Sequence, residues 1–466
     1  MIDRRPAQQP APSTVPALYP PRIVPPDGPL PAWRFLPTFL VNPLRTLPAT
    51  VYHEAIFAPA SLKGRVAWVT DPALVEQVLL EAHETFPKSP VERRIFERIL
   101  GHAILTAEGT AWRWQRRIVA PLFRPAEVTA FVPAMAAVAG RMVETWRGAG
   151  DSQHRRIDQD MTDVTFNVLA ATIFAGATAA EETALKVHSS GYLEHTSWDV
   201  AFEMLRIPDW VWHPAKPAMR RHAAALRTTM ASVLARERDK GFPGGGLMAQ
   251  LGRAKDPDTG EPMADDLVAS NLLTFAAAGH ETTAKALTWA LYLLARAPEW
   301  QTRIADEVRR VAGASPIGAA HIDDLMVTRQ VLKESLRLYP PAPVLGRMAT
   351  IPVTLGGQRF EAGTMFVIPI WAIHRHHKLW DDPDRFDPAR FAPEREKSLR
   401  RTQYMPFGFG PRICVGFGFA MTEAIILLAT FVRDMRFGWD GQLAPEPVSR
   451  VTLRPRGGMP LSIQAR

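Results

Sequence analysis

One cysteine occurs in the 466-residue chain, and the residues around it are those whose types and spacing suggest chemistry. Cys414 lies in Phe407-Gly-Phe-Gly-Pro-Arg-Ile-Cys-Val-Gly416, just past Gly408 and Gly410 and just before an apolar helical pattern from Phe417 to Phe431. A thiol at a helix start faces free backbone N–H groups and the positive end of the helix dipole, which favour the thiolate. Arg412, two residues away, adds a cation. Gly410 and Gly416 let the backbone turn tightly and lie close to something flat and bulky. Two readings stay open on these residues. One is a small buried hydrophobe; the other is a thiolate ligand to haem iron, in an apolar slot with an arginine for carboxylates. Cysteine-protease signatures are absent. A dinucleotide fingerprint fails because Pro411 follows Gly410 and the third glycine is missing.

A second constellation sits inside the most apolar helical pattern, which runs from Asp265 to about Ala297 and is stopped by Pro298. At its middle stands Ala278-Gly-His-Glu-Thr-Thr283. Charge and hydroxyls inside an otherwise buried helix are costly unless they do something. His280-Glu281 begins a zinc-protease H-E-x-x-H, but Ala284 takes the second histidine's place. Thr282 could bond back to a preceding carbonyl and bend the helix, and Glu281 could pair with a distant arginine. Trp112 and Arg116 are four apart and share a helix face, as do Glu334 and Arg337 three apart. Alone, each pair is an ordinary surface feature.

Taken together these segments resemble the cytochrome P-450 superfamily, over roughly residues 50 to 466. Its cysteine loop, F-x-x-G-x-R-x-C-x-G, is filled by Phe407, Gly410, Arg412, Cys414 and Gly416, with Ala420 and Glu423 extending the match. Ala278 to Thr283 resembles its A/G-G-x-D/E-T-T, and Trp112 with Arg116 its W-x-x-x-R. Glu334 and Arg337 match E-x-x-R, and Pro388-Ala-Arg390-Phe391 matches the later P-x-R-F.

The resemblance implies a mainly α fold with a smaller β-rich lobe, and haem b buried between a long central helix and the cysteine loop. Cys414 is then the iron ligand. Trp112, Arg116, Arg347 and Arg412 neutralise the haem propionates. Gly279 permits close approach to the ring, beside helix backbone opened for dioxygen and water. Thr282 donates a hydrogen bond to bound dioxygen and Glu281 relays protons. Glu334, Arg337 and Arg390 form a structural triad. Ala277, Ala278, Val344 and Leu345 line an apolar substrate pocket, which the tip of a closing hairpin around Arg454 to Met459 enters. The aromatic stretch with Trp198, Phe202, Trp210 and Trp212 forms a mobile lid. The implied reaction is monooxygenation, the insertion of one atom of dioxygen into an apolar organic molecule. A peroxygenase or peroxide isomerase is the alternative, ahead of a non-catalytic haem sensor.

Bulk composition narrows the rest. A single cysteine excludes an intramolecular disulfide and any four-cysteine cluster, and no flavin module is recognised. With dioxygen as the oxidant, as the resemblance implies, electrons are expected from a separate ferredoxin- or flavodoxin-like protein and its reductase. The formal charge of +8 favours an acidic partner. Arg113, Arg117, Arg400 and Arg401 are the expected docking cations, with Arg113 and Arg117 free on the face adjoining Trp112. No recognisable nucleic-acid module is present. No apolar run approaches the ~20 residues of a spanning helix, so no membrane anchor is expected and a cytoplasmic location is. Residues 1–48 read as a proline-rich segment and 49–466 as a single catalytic domain. Asp71-Pro-Ala starts a capped helix through Leu80, and Gly356-Gly357 turns a hairpin. His374, His376 and His377 read as packing and surface, not a metal site.

Overall fold

The computed structural model describes residues 17–59, 64–150, 153–174, 176–204, 207–208, 210–256, 258–442 and 444–466. Pro6, Pro10, Pro12 and Pro16 of the proline-rich opening lie outside these residues. The helices, in order, are α1 (Ala32–Val41), α2 (Pro72–Glu76), α3 (Pro90–Leu100), α4 (Gly109–Val119), α5 (Pro125–Gly148), α6 (Ile157–Thr172), α7 (Ala179–Glu194), α8 (Ser197–Met204), α9 (Lys216–Asp239), α10 (Leu247–Arg253), α11 (Asp265–Arg296), α12 (Pro298–Ala312), α13 (Met326–Leu338), α14 (Ile370–Ile373), α15 (Pro393–Glu396) and α16 (Phe417–Asp434). The strands are β1 (Ile56–Phe57), β2 (Val66–Val69), β3 (Gln153–Arg156), β4 (Leu345–Met348), β5 (Val353–Leu355), β6 (Gln358–Phe360), β7 (Met365–Ile368), β8 (Met435–Gly438), β9 (Pro447–Ser449), β10 (Leu453–Pro455) and β11 (Pro460–Ala465). The fold is therefore mainly helical with a smaller β region, as expected.

Helix α11 is the axis. Asp265 and Asp266 in its first turn complement the positive end of the dipole. Its C-terminal half, Ala286 to Leu294, is buried on every side, among α6, α13 and α16. That all-round apolar sequence is why it lies inside the body instead of on its surface. The helix is continuous from Asp265 to Arg296, so the opened backbone expected at Gly279 is absent. Gly279 answers a packing need: a Cβ there would sit 3.1 Å from Leu169 of α6.

Helix α2 starts where the sequence places it, with Asp71 accepting from the Ala73 and Leu74 N–H groups and Pro72 at the first helical position. It runs into a single π turn, Gln77–Glu81. Contrary to expectation, α5 is long and apolar enough to cross a bilayer by length and composition; its buried face packs on α16 and α6. Strands β1, β2, β7 and β4 form the main sheet. The expected hairpin at Gly356-Gly357 is β5–β6, with both glycines at positive φ.

No break falls at residue 48. Ile23, Leu44 and Leu47 are buried, and the Tyr339 hydroxyl donates to the Pro21 carbonyl at 2.7 Å. Residues 17–47 thus pack as part of the same body. In the aromatic stretch, Trp198 and Phe202 pack around His213, whereas Trp210 and Trp212 are exposed. His374 and His376 are buried, and no metal-ligating cluster occurs among the described residues.

Candidate active site

One cavity of about 580 Å³ reaches from the cysteine loop to α11 and outward to α1. Phe407, Arg412, Cys414 and Gly416 form its floor, and Ala277, Ala278, Gly279 and Thr282 form the facing wall. Val344, Leu345 and Arg347 line it from the start of the sheet, and Trp112 and Arg116 from α4. Residues scattered over three hundred positions of sequence thus meet around one apolar space.

The loop's geometry follows from its glycines. Gly408 and Gly410 both adopt φ of +75°, a region open mainly to glycine. At Gly410 a Cβ would run into the backbone carbonyl of Leu79, in the π turn after α2. The close neighbour that requires Gly410 is therefore protein backbone. Gly416 has φ of −92° and room for a Cβ, so the turn does not require glycine there. The Cys414 N–H donates to the Phe407 carbonyl at 3.0 Å, which closes the loop.

The Cys414 side chain is exposed, but to the cavity. Burial pushes its thiol pKa up, although the Gly416 N–H and Arg116 act in the opposite direction. The N–H at the helix start favours the thiolate, as expected, but does not outweigh burial, and the cation that acts on the sulfur is Arg116 in place of the expected Arg412. A bound cation would have to draw the proton off.

The two expected proton-handling residues separate. Thr282 faces the cavity and donates to the Ala278 carbonyl at 2.8 Å. Glu281 does not line the cavity. Its Oε1 accepts from the Thr452 hydroxyl at 2.9 Å and from Arg454 at 2.5 Å, while Oε2 is buried without a partner. Burial pushes the Glu281 carboxyl up, but Arg454, Lys285, His280 and the Thr452 hydroxyl outweigh it and hold the pKa below the ordinary value. Pairing with a distant arginine is therefore what Glu281 does. Thr452 itself lines the cavity, so this threonine joins the acid to the cavity. The turn that enters the cavity is Ser449 to Thr452, between β9 and β10, and not Arg454 to Met459. His280 turns towards α6, edge-on to Phe166.

Below the floor, Arg337 donates to both oxygens of Glu334 at 2.7 and 2.8 Å, and to the carbonyls of His374, Pro383 and Arg385. Arg390 stands 3.6 Å from Glu334, whose Oε1 also accepts the Asp387 N–H. Glu334 and Arg337 are wholly buried, so the surface reading of E-x-x-R is excluded.

Four cations gather at one edge. Arg412 stacks over the Trp112 ring at 3.9 Å, donates to the Ala107 carbonyl and pairs with Glu108. Arg347 lies 3.8 Å from Glu92. Half-buried Arg116 has no anionic partner among the described residues. Lys88, which the sequence reading missed, also lines the cavity, and its Nζ lies 3.5 Å from Glu92. Its only sequence signal was the Lys88–Glu92 spacing of four.

Comparison with known proteins agrees with this geometry. The cytochrome P450 family model matches residues 26–459. The chain belongs to the cytochrome P450 family. Curated relatives include cyclooctat-9-en-7-ol 5-monooxygenase from Streptomyces melanosporofaciens, 30% identical over 85% of this chain and 85% of that protein. Another is 11-oxo-beta-amyrin 30-oxidase from Glycyrrhiza uralensis, 29% identical over 84% of this chain and 77% of the relative. Among solved structures, the haem domain of cytochrome P450DA superposes with a TM-score of 0.76 at 25% identity, covering 86% of this chain and 87% of that one. The P450 is therefore a monooxygenase, and haem b is its cofactor.

The residues present fit that group. The lone thiol opens into an apolar cavity, and the unpaired Arg116 guanidinium waits at the edge where Arg347 and Arg412 also point. Cys414 would hold the iron, and Trp112, Arg116, Arg347 and Arg412 the carboxylates. When bound, haem supplies the dioxygen activation that a cysteine ligand promotes. The apolar wall would orient substrate and exclude water, and the Thr282 hydroxyl, one of several that line the cavity, would be placed on the α11 wall to hand on a proton.

The docking cations need correction. Arg113 pairs with Glu84 at 2.9 Å, and Arg117 with Asp258 and Asp256. Neither is free. Arg400 and Arg401 are exposed and make no side-chain ion pair among the described residues.

Proposed function

We propose that this P450 hydroxylates or epoxidises an alicyclic, terpenoid-like molecule, using electrons from a separate acidic redox protein in the cytoplasm. The cavity carries the reading. Phe35 and Phe39 of α1, Phe96 of α3, and Leu169 and Ile173 of the α6 segment give it a broad apolar wall, with Thr282 as the hydroxyl nearest the middle of α11. Bulky rings bury more apolar area against such a wall than a single extended chain that leaves voids. Relatives named for cyclooctat-9-en-7-ol and 11-oxo-beta-amyrin support the same class. Arg400 and Arg401 are the cations left to steer a ferredoxin- or flavodoxin-like donor.

A spectral-shift titration of the ferric protein tests the substrate class. Alicyclic terpenoids should displace water from the haem pocket at concentrations at least tenfold lower than linear fatty acids of similar carbon number. The reverse order would overturn the reading. For the donor, exchanging Arg400 and Arg401 for glutamate should raise the apparent Kd of an acidic redoxin and flatten its salt dependence. No change would remove that surface from electron transfer.

A further inference from the structure

The edge of the cavity carries more positive charge than the motif residues alone supply. Lys88, Arg116, Arg347 and Arg412 all line it. Lys88 and Arg347 are held side by side, because residues 88 and 347 form an antiparallel bridge. The Lys88 ammonium donates to the Leu105 carbonyl at 2.6 Å.

Two carboxylates are built into this cluster, and each ties two of its parts together. Glu92 of α3 stands 3.5 Å from the Lys88 ammonium and 3.8 Å from the Arg347 guanidinium. Glu108, at the N-cap of α4, pairs through one oxygen with Arg412. Its other oxygen accepts the Lys88 backbone N–H at 3.3 Å. Arg412, so held, lies flat on the Trp112 ring at 3.9 Å. Only Arg116 is left without a carboxylate among the described residues. Four cations against two acids leave an excess of two positive charges, which equals the charge of two haem propionates.

We propose that Lys88 is a fourth cation of the propionate clamp, and that Glu92 and Glu108 are positioning residues that set the clamp's net charge and orient its cations. This rests on the haem-binding assignment and goes beyond it, because neither acid belongs to a P450 motif found in the chain. The arrangement has an electrical consequence. Reducing ferric haem adds an electron, so an anion held near the ring opposes reduction and its removal favours it.

The experiment is a spectroscopic redox titration of haem-loaded protein, with haem release to a haem acceptor measured on the same samples. Glu92→Gln keeps shape and removes one charge. At a fixed ambient potential it should raise the ferrous-to-ferric ratio about threefold or more, with ~59 mV corresponding to each tenfold. Glu108→Gln should do the same, and Lys88→Met the opposite. Glu84→Gln, which alters a pair on the exposed surface at Arg113, should leave the ratio unchanged. Haem release should slow in Glu92→Gln and quicken in Lys88→Met. If Glu108→Gln fails to retain haem, Glu92→Gln and Lys88→Met still decide. Unchanged potentials in both would overturn the proposal and leave these residues as plain structural pairs. If no variant bound haem while the parent did not either, the underlying haem assignment would be the failure, and that result is distinct.

Discussion

Two glutamate–arginine pairs, each with a buried carboxylate, flank the cavity, and they are built differently. In Glu334–Arg337 every strong contact is made: both carboxylate oxygens are used, and the guanidinium also reaches three backbone carbonyls. Neither side chain meets solvent. In Glu281–Arg454 one carboxylate oxygen carries two bonds and the other carries none, while the arginine side chain is 23% exposed. The first pair joins the end of α13 to the loops under the cysteine and has no freedom to move. The second is an acid with spare capacity, tethered to a partner that water can reach. Saturation marks a joint, and the unused Oε2 leaves the second pair with a hydrogen-bond position unfilled.

Breaking the joint should have the largest effect. Arg337→Leu leaves the buried Glu334 charge with only Arg390, 3.6 Å away, and the Asp387 N–H, a loss of up to about 3–5 kcal/mol. Urea unfolding should show it, together with a fall in haem content. A variant with parental stability would mean that the triad supports nothing. Breaking the tether should cost less. Arg454→Met removes a charge-assisted bond worth about 1.5–3 kcal/mol, and the pH dependence sharpens the comparison. The Glu281 carboxyl titrates below its ordinary value of 4.5 when folded, so its contribution is present above about pH 4.5. It is lost as the pH falls through the folded value. Parent and Arg454→Met stabilities should therefore converge on acidification. A constant gap between the two curves would contradict the pairing.

The smallest effect on stability, and a specific one on chemistry, belongs to Thr282. Its hydroxyl makes one local bond, to the Ala278 carbonyl. Thr282→Ala should keep fold, haem and substrate binding, yet divert reducing equivalents from product into peroxide severalfold. Unchanged coupling would take the hydroxyl out of proton delivery and leave the Thr452–Glu281 contact as the remaining route.

Most of the site was readable from sequence because its parts are local patterns: Phe407 to Gly416, Ala278 to Thr283, and pairs three or four apart on one helix. What sequence reading missed was set by distant contacts. Nothing near Glu281 in the chain announces Arg454, which lies on the far hairpin strand β10. Nothing near Arg113 or Arg117 points to Glu84 or to Asp256 and Asp258, whose carboxylates cancel their charge. Gly410 was expected to make room for a ring, and it makes room for the Leu79 carbonyl from a π turn that no spacing announces. The fold class followed from the family resemblance that these motifs carry. The inclusion of residues 17–47 did not, since proline-rich sequence can pack through single side chains such as Ile23 without periodicity.

The central claim is that the Cys414 sulfur is the iron ligand at the floor of this cavity. The most direct measurement is the absorption spectrum of the reduced, carbon monoxide-treated protein beside that of Cys414→Ala reconstituted with haemin. The parent should show the red-shifted Soret band of thiolate ligation, and the variant should lack it while keeping its fold. A thiolate-type band that survives in Cys414→Ala, or a parent protein that takes up no haemin, would contradict the account.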